Sequence, residues 1–186
     1  MTKRVLVAVD GTQASNTALE IACALADSYE AHLGLLCVVE PGGVSDELIK
    51  GAIVEGVLKS EGDSKRSNFN SWYHSTVYAP GGFGISEEDQ RGVNVSQLSN
   101  AIADHIVAKA EAYSKDSAAK AIKTFVRSGD VAEEILSVAQ SNDADFIIMG
   151  HDQRGRLESL IKGSVAEKVV RDATCPCLVY CLPKQG

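Results

Sequence analysis

Residues 4–40 read RVLVAVDGTQASNTALEIACALADSYEAHLGLLCVVE, and this stretch decides the fold. The apolar run "KRVLVAV" (residues 3–9) is rich in β-branched residues, the composition of a buried strand. It stops at Asp10-Gly11-Thr12, a turn. In "QASNTALEIACALADSYE" (13–30), Ala14, Ala18, Ile21, Ala22 and Leu25 then recur at helical spacing behind Thr12, a candidate N-cap. A second apolar run, "AHLGLLCVVE" (31–40), closes at Pro41-Gly42-Gly43. Strand, helix and strand with short connections form a βαβ unit, with parallel strands and a right-handed crossover.

The same rhythm returns beyond residue 120. "AIKTFVRS" (121–128) reads as a strand, Gly129-Asp130 opens the helix "VAEEILSVAQSND" (131–143), and "DADFIIMG" (143–150) is a strand. "ESLIKGSVAEKVVRDA" (158–173) reads as a helix and "CPCLVYCL" (175–182) as a last strand. Near-continuous apolar strands imply helices on both faces, so five strands make a three-layer α/β fold around a parallel sheet.

Residues 44–120 are less regular. "VSDELIKGAIVEGVLKSEG" (44–62) has a helical pattern weakened by Gly51 and Gly56. "VSQLSNAIADHIVAKAEAYSKDSAAK" (95–120) is a firmer helix, with Leu98, Ile102, His105, Ile106 and Lys109 along one stripe. Residues 62–94 follow neither period and hold Trp72, Tyr73 and Tyr78. They read either as a lid or interaction arm with aromatic anchors, or as an insertion whose aromatics pin it to the body.

The 186 residues are 45% hydrophobic and 23% charged, within ordinary globular usage. A net charge of −7 argues against a dedicated surface for nucleic acid or anionic membrane. No apolar run is long enough to span a bilayer and no signal-peptide pattern opens the chain, so a cytoplasmic location is expected. The five cysteines form no CxxC pattern and the four histidines no HExxH pair, which points to reduced, buried thiols and no metal site.

In a doubly wound sheet, ligands sit beyond the carboxyl ends of the strands where strand order reverses. If the first strand is central, its neighbour across the reversal is the strand ending at Met149-Gly150. Asp10 then either bonds a ribose hydroxyl or caps the first helix. "GHDQRGRLESLIKGS" (150–164) would meet a phosphate chain, with Gly163-Ser164 at a helix start whose N–H groups favour an anion. The helix could instead begin at Glu158, leaving Gly163 inside it at a cost of up to ~1 kcal/mol relative to Ala. No paired acid and base is evident; His151 or Asp152 could activate water or could simply be solvated.

"RVLVAVDGTQASNTALEIACALA", "LLCVV", "GDVAEEILSVAQSNDADFIIMG" and "LIKGSVAEKVVRDATCPCLVY" together resemble the universal stress protein family, over about residues 3–40 and 120–182. The resemblance implies a sheet in the order 3-2-1-4-5 and one domain over residues 1–186, with residues 42–93 as an insertion. It implies a homodimer through antiparallel pairing of the last strands, here Cys175 to Leu182, which would cover an apolar edge. It also implies a stress-response regulatory protein binding ATP, with Mg, or another adenine nucleotide, and at most slow ATP hydrolysis. The alternative is a nucleotide-free member acting through protein contacts of its dimer surface and insertion. Carried over, Asp10 approaches the ribose and Val38 offers backbone groups to adenine. Met149 and Gly150 line the crevice, and Gly163, Ser164 and Val165 hold phosphates. Gln153 replaces the second glycine of the family's phosphate motif, where its side chain either crowds the phosphates or donates an amide to them.

Overall fold

A computed structural model of the chain describes residues 3–40, 95–151 and 165–182. The expectations for residues 42–93 and for Gln153, Gly163 and Ser164 lie outside the described residues. Two units result, Met1–Pro41 with Ala103–Gly186, and Gly42–Ile102. Of the second, only residues 95–102 are described, and they are helical.

The described strands are β1 (Arg4–Ala8), β2 (His32–Val39), β3 (Ala121–Ser128), β4 (Phe146–His151) and β5 (Cys177–Cys181). The helices are α1 (Gln13–Tyr29), α2 (Val95–Ser114), α3 (Val131–Ser141) and α4 (Val165–Asp172). The strands form one parallel sheet in the order β3-β2-β1-β4-β5, as expected. β1 is central, with Ala8 level with Leu36 on one side and Met149 on the other. Strand order therefore reverses between β1 and β4.

Alternation along the strands divides the core into two layers. Val5, Val7, Leu33, Leu35, Cys37 and Ile148 face α1 and the Ala103–Ser114 part of α2. Leu6, Leu36, Phe125, Ile147 and Met149 face α3 and α4. The stripe expected on α2 holds in part and shifts in part: Ile102 is buried as expected, and the side chain of Leu98 lies outside the described residues. Ala103, Val107 and Ala110 are buried and Ile106 partly so, whereas His105 is half-buried and Lys109 exposed. Small residues let the helix approach the sheet closely, so the Ala-containing stripe packs inward.

Local signals explain the element ends. Thr12 caps α1, its Oγ1 accepting from Ser15 N at 3.2 Å. Glu30 ends α1 in the left-handed region (φ 47°), and Ala31 N donates to Ala26 O at 2.9 Å before β2 begins. Asp130 caps α3, accepting from Glu133 N at 2.9 Å, and Lys168 of α4 donates to both Asp130 and Glu133 at 3.2 and 3.0 Å. β5 starts at Cys177 rather than Cys175, because Pro176 has no N–H for a ladder; its carbonyl accepts from Ile147 N.

Gly150 has no room for a side chain. A Cβ there would run into the backbone of Ala14 and Ser15, in the first turn of α1, with Ala14 O only 2.5 Å away. Gly150→Ala is expected to lower stability by about 3 kcal/mol, the upper end for overpacking, because backbone rather than a flexible side chain stands in the way. At Gly34 the nearest atoms to an added Cβ are Leu6 Cδ1 at 3.1 Å and Phe125 Cε2 at 3.4 Å, both able to shift. Gly34→Ala should therefore change stability by less than about 1 kcal/mol, and chemical denaturation of both variants checks the contrast.

Asp145 joins the starts of β1 and β4, accepting from Lys3 Nζ at 2.8 Å and Arg4 N at 2.9 Å. These bonds, the Lys3 one foremost, hold its carboxyl below the ordinary 3.8. Its contribution to stability is thus complete above about pH 3.8 and is lost as pH falls through the lower folded value. Asp145→Asn should flatten part of the acid limb of a stability–pH curve while leaving the slope near neutrality unchanged.

Candidate functional site

The carboxyl end of β1 builds the site from one short turn. After Ala8, Val9 N donates to Leu36 O at 2.8 Å, which keeps the chain on the sheet for one more residue. Gly11 then takes φ 79°, a left-handed value that suits glycine, and the chain turns into α1. Asp10 stabilises this turn, its Oδ1 accepting from Thr12 N at 2.9 Å and Thr12 Oγ1 at 2.6 Å. Ser15 closes the knot, its Oγ accepting from Asp10 N at 3.3 Å and donating to Thr12 O at 3.0 Å.

This settles one alternative left by the sequence. Thr12, not Asp10, caps α1, and Asp10 holds the turn through a single oxygen. Its Oδ2 has no hydrogen-bond partner among the described residues, and the side chain is exposed. A carboxylate fixed by one oxygen and open at the other is preorganised to accept from a hydroxyl.

The other expected residues fall into distinct places. Met149 and Gly150 lie across the seam from the end of β1, since Ala8 is level with Met149. Met149 is only 3% exposed and packs its side chain into the α3/α4 layer, so its backbone alone faces the seam's edge. Gly150 supports the first turn of α1, so helix packing by itself demands a glycine there. Val38 is half-buried near the end of β2, level with Arg127 of β3, and its side chain joins the α3/α4 layer. Val165 is the first residue of α4 and is 40% exposed.

Sequence patterns did not single out Asp104. Burial pushes the Cys37 thiol up to about 12, with Asp10 and then Asp104 adding to the effect. Both carboxylates thus disfavour a thiolate at Cys37, Asp104 from α2. The only signal in the sequence was a charged residue beside the buried Ala103. Cys23 and Cys37 are packed thiols, as expected of the cysteines, but Cys175 and Cys177 are only half-buried and Cys181 is exposed, because the last two of these lie on β5 at the end of the strand order. No helix of the described residues is long and apolar enough to cross a membrane.

The chain has relatives among known proteins. Universal stress protein MJ0531 of Methanocaldococcus jannaschii is 42% identical over 64 residues, which cover 34% of this chain and 38% of that protein. Universal stress protein YxiE of Bacillus subtilis is 25% identical over 181 residues, covering 96% of this chain and 99% of that protein. Among solved structures, a universal stress protein in complex with cAMP superposes with a TM-score of 0.60 at 17% identity, covering 95% of each chain. That likeness concerns the fold. The model of the universal stress protein family matches residues 1–65 and 69–180, and the chain belongs to that family.

Proposed function

We propose that the chain is a stress-response regulatory protein that binds ATP or another adenine nucleotide beyond the β1/β4 seam. The single observation that carries this is Asp10, positioned at the strand-order reversal with Oδ2 open to a ribose hydroxyl. The cAMP complex of a relative with the same fold supports an adenine nucleotide as the ligand class. In this reading Val38 offers backbone groups to the adenine, and Met149 and Gly150 border the nucleotide through their backbone. Gly163, Ser164 and Val165 take the phosphates, with Mg accompanying ATP. Gln153 then decides how many phosphates the site accepts.

Titration calorimetry with ATP, with and without Mg, and with AMP tests the reading, alongside mass spectrometry of co-purified small molecules. Asp10→Ala should weaken binding by about tenfold or more, from loss of a charge-assisted hydrogen bond of about 1.5–3 kcal/mol. Gly163→Val should abolish phosphate-dependent affinity, and Gln153→Gly should raise affinity for ATP more than for AMP if the side chain crowds the phosphates. Absence of both heat and co-purified nucleotide at millimolar ATP would sink nucleotide binding. It would leave the protein as a contact-only member of the family, acting through its dimer surface and residues 42–93.

We also infer a homodimer through β5. Among the described residues this strand is the edge of the sheet; Leu178, level with Ile148 on the α1 face, is 38% exposed, and Val170 of α4, on the other face, is 53% exposed. An unpaired edge with exposed apolar side chains favours pairing with a second copy. Sedimentation should give twice the chain mass, and Leu178→Lys should shift it towards the monomer by setting like charges together across the two-fold axis.

A further inference from the structure

A second recess lies at the opposite end of the sheet from Asp10. It has a volume of about 270 Å³ and opens on the α3/α4 side at the amino ends of β1, β2 and β3. Gly34 is among the residues that line it. Strand register sets Leu6, Gly34 and Lys123 in one row and Arg4, His32 and Ala121 in the row beneath. Leu6 and Phe125 close in over Gly34, their atoms 3.1 and 3.4 Å from where its Cβ would stand, and these side chains form the apolar floor of the recess. Gly34 is half-buried in a strand whose neighbours Leu33, Leu35 and Leu36 are fully buried.

The recess is apolar at its floor and basic at its rim. Arg4, His32 and Lys123 line it, and among the described residues no carboxylate does. That is a local reversal in a chain with 25 acidic and 18 basic residues. Arg4 Nη1 is paired with the exposed Asp143 at 3.2 Å, and Asp145 below it is taken up by Lys3 and the Arg4 backbone N–H. Lys123 and His32 have no carboxylate partner among the described residues. Lys123 is nevertheless held in place. Its Nζ donates to Asn142 Oδ1 at 3.0 Å and stands 4.9 Å from the centre of the Phe125 ring. Asn142 is itself fixed, its Nδ2 donating to Val138 O at 2.9 Å and to Ser141 Oγ at 3.2 Å.

We propose that this recess binds a small aryl carboxylate, the ring seated over Gly34 against Leu6 and Phe125 and the carboxylate held by Lys123 and His32. The volume lies just below the range of drug-sized ligand sites, which suits one or two rings. The apolar floor supplies burial, and the fixed ammonium supplies direction and a charge-assisted hydrogen bond. The site stands at the amino ends of the strands, so it does not depend on nucleotide binding at their carboxyl ends.

The test is amide NMR of the full-length protein titrated with 2-naphthoate and, separately, with its neutral analogue 2-naphthamide. Expected are saturable shifts centred on Gly34, Phe125 and Asn142 with the acid, and at least tenfold weaker binding of the amide. Lys123→Met should weaken the acid about tenfold without changing the amide, and Gly34→Val should block both ligands. Lys123 is exposed, so its variant should fold; thermal unfolding verifies this for both variants. Equal binding of acid and amide overturns the proposal, as does unchanged affinity in Lys123→Met. So does an absence of shifts at those three residues with 10-fold or greater molar excess of naphthoate, or shifts centred instead on Asp10 and Gly150.

Discussion

The seating of the first turn of α1 on Gly150 is the contact on which the rest of the unit depends. With no side chain at Gly150, the backbone of Ala14 and Ser15 comes down directly on β4 beside β1. That height sets where the buried side of α1, with Ala18, Ala22 and Ala26, meets Val5, Val7 and Ile148. It also sets the turn before the helix, because Thr12 must cap α1 at that height and Asp10 must hold Thr12. Core packing and the position of the open Asp10 oxygen thus follow from one close approach.

The two ends of the sheet differ in chemistry because different residues close them. At the carboxyl ends, the peptide turn into α1 is held by hydroxyls and one carboxylate oxygen. At the amino ends, Arg4, His32 and Lys123 line a recess floored by Leu6 and Phe125. Two glycines in this sheet are approached closely by different groups: backbone packs against Gly150, and the movable side chains of Leu6 and Phe125 close in over Gly34.

Much of the architecture was legible in the order of patterns. The change from a β-branched run to helical spacing at Asp10-Gly11-Thr12 located β1 and α1, and the return of that rhythm after residue 120 located β3 to β5. Boundaries moved where a single atom decides them, as at Pro176, which cannot donate to the ladder ahead of β5. The stripe on α2 shifted because periodicity defines a face only up to its neighbour. Ala103, Val107 and Ala110 approach the sheet more closely than a stripe carrying His105 and Lys109 could. At the site, the turn residue Asp10 was visible in the sequence, but the division of labour with Thr12 was not, since either residue type caps a helix.

The sequence by itself determined the fold class, the family resemblance and the place of Asp10 at the end of the first strand, because these depend on local spacing and residue type. Only the tertiary structure decided which Asp10 oxygen stays open, why Gly150 must be glycine, and that Arg4, His32 and Lys123 share one recess with Gly34. The reason is register. Arg4, His32 and Ala121 stand side by side in the sheet, yet helical crossovers separate them along the chain. No local pattern encodes which residues a parallel sheet will bring level.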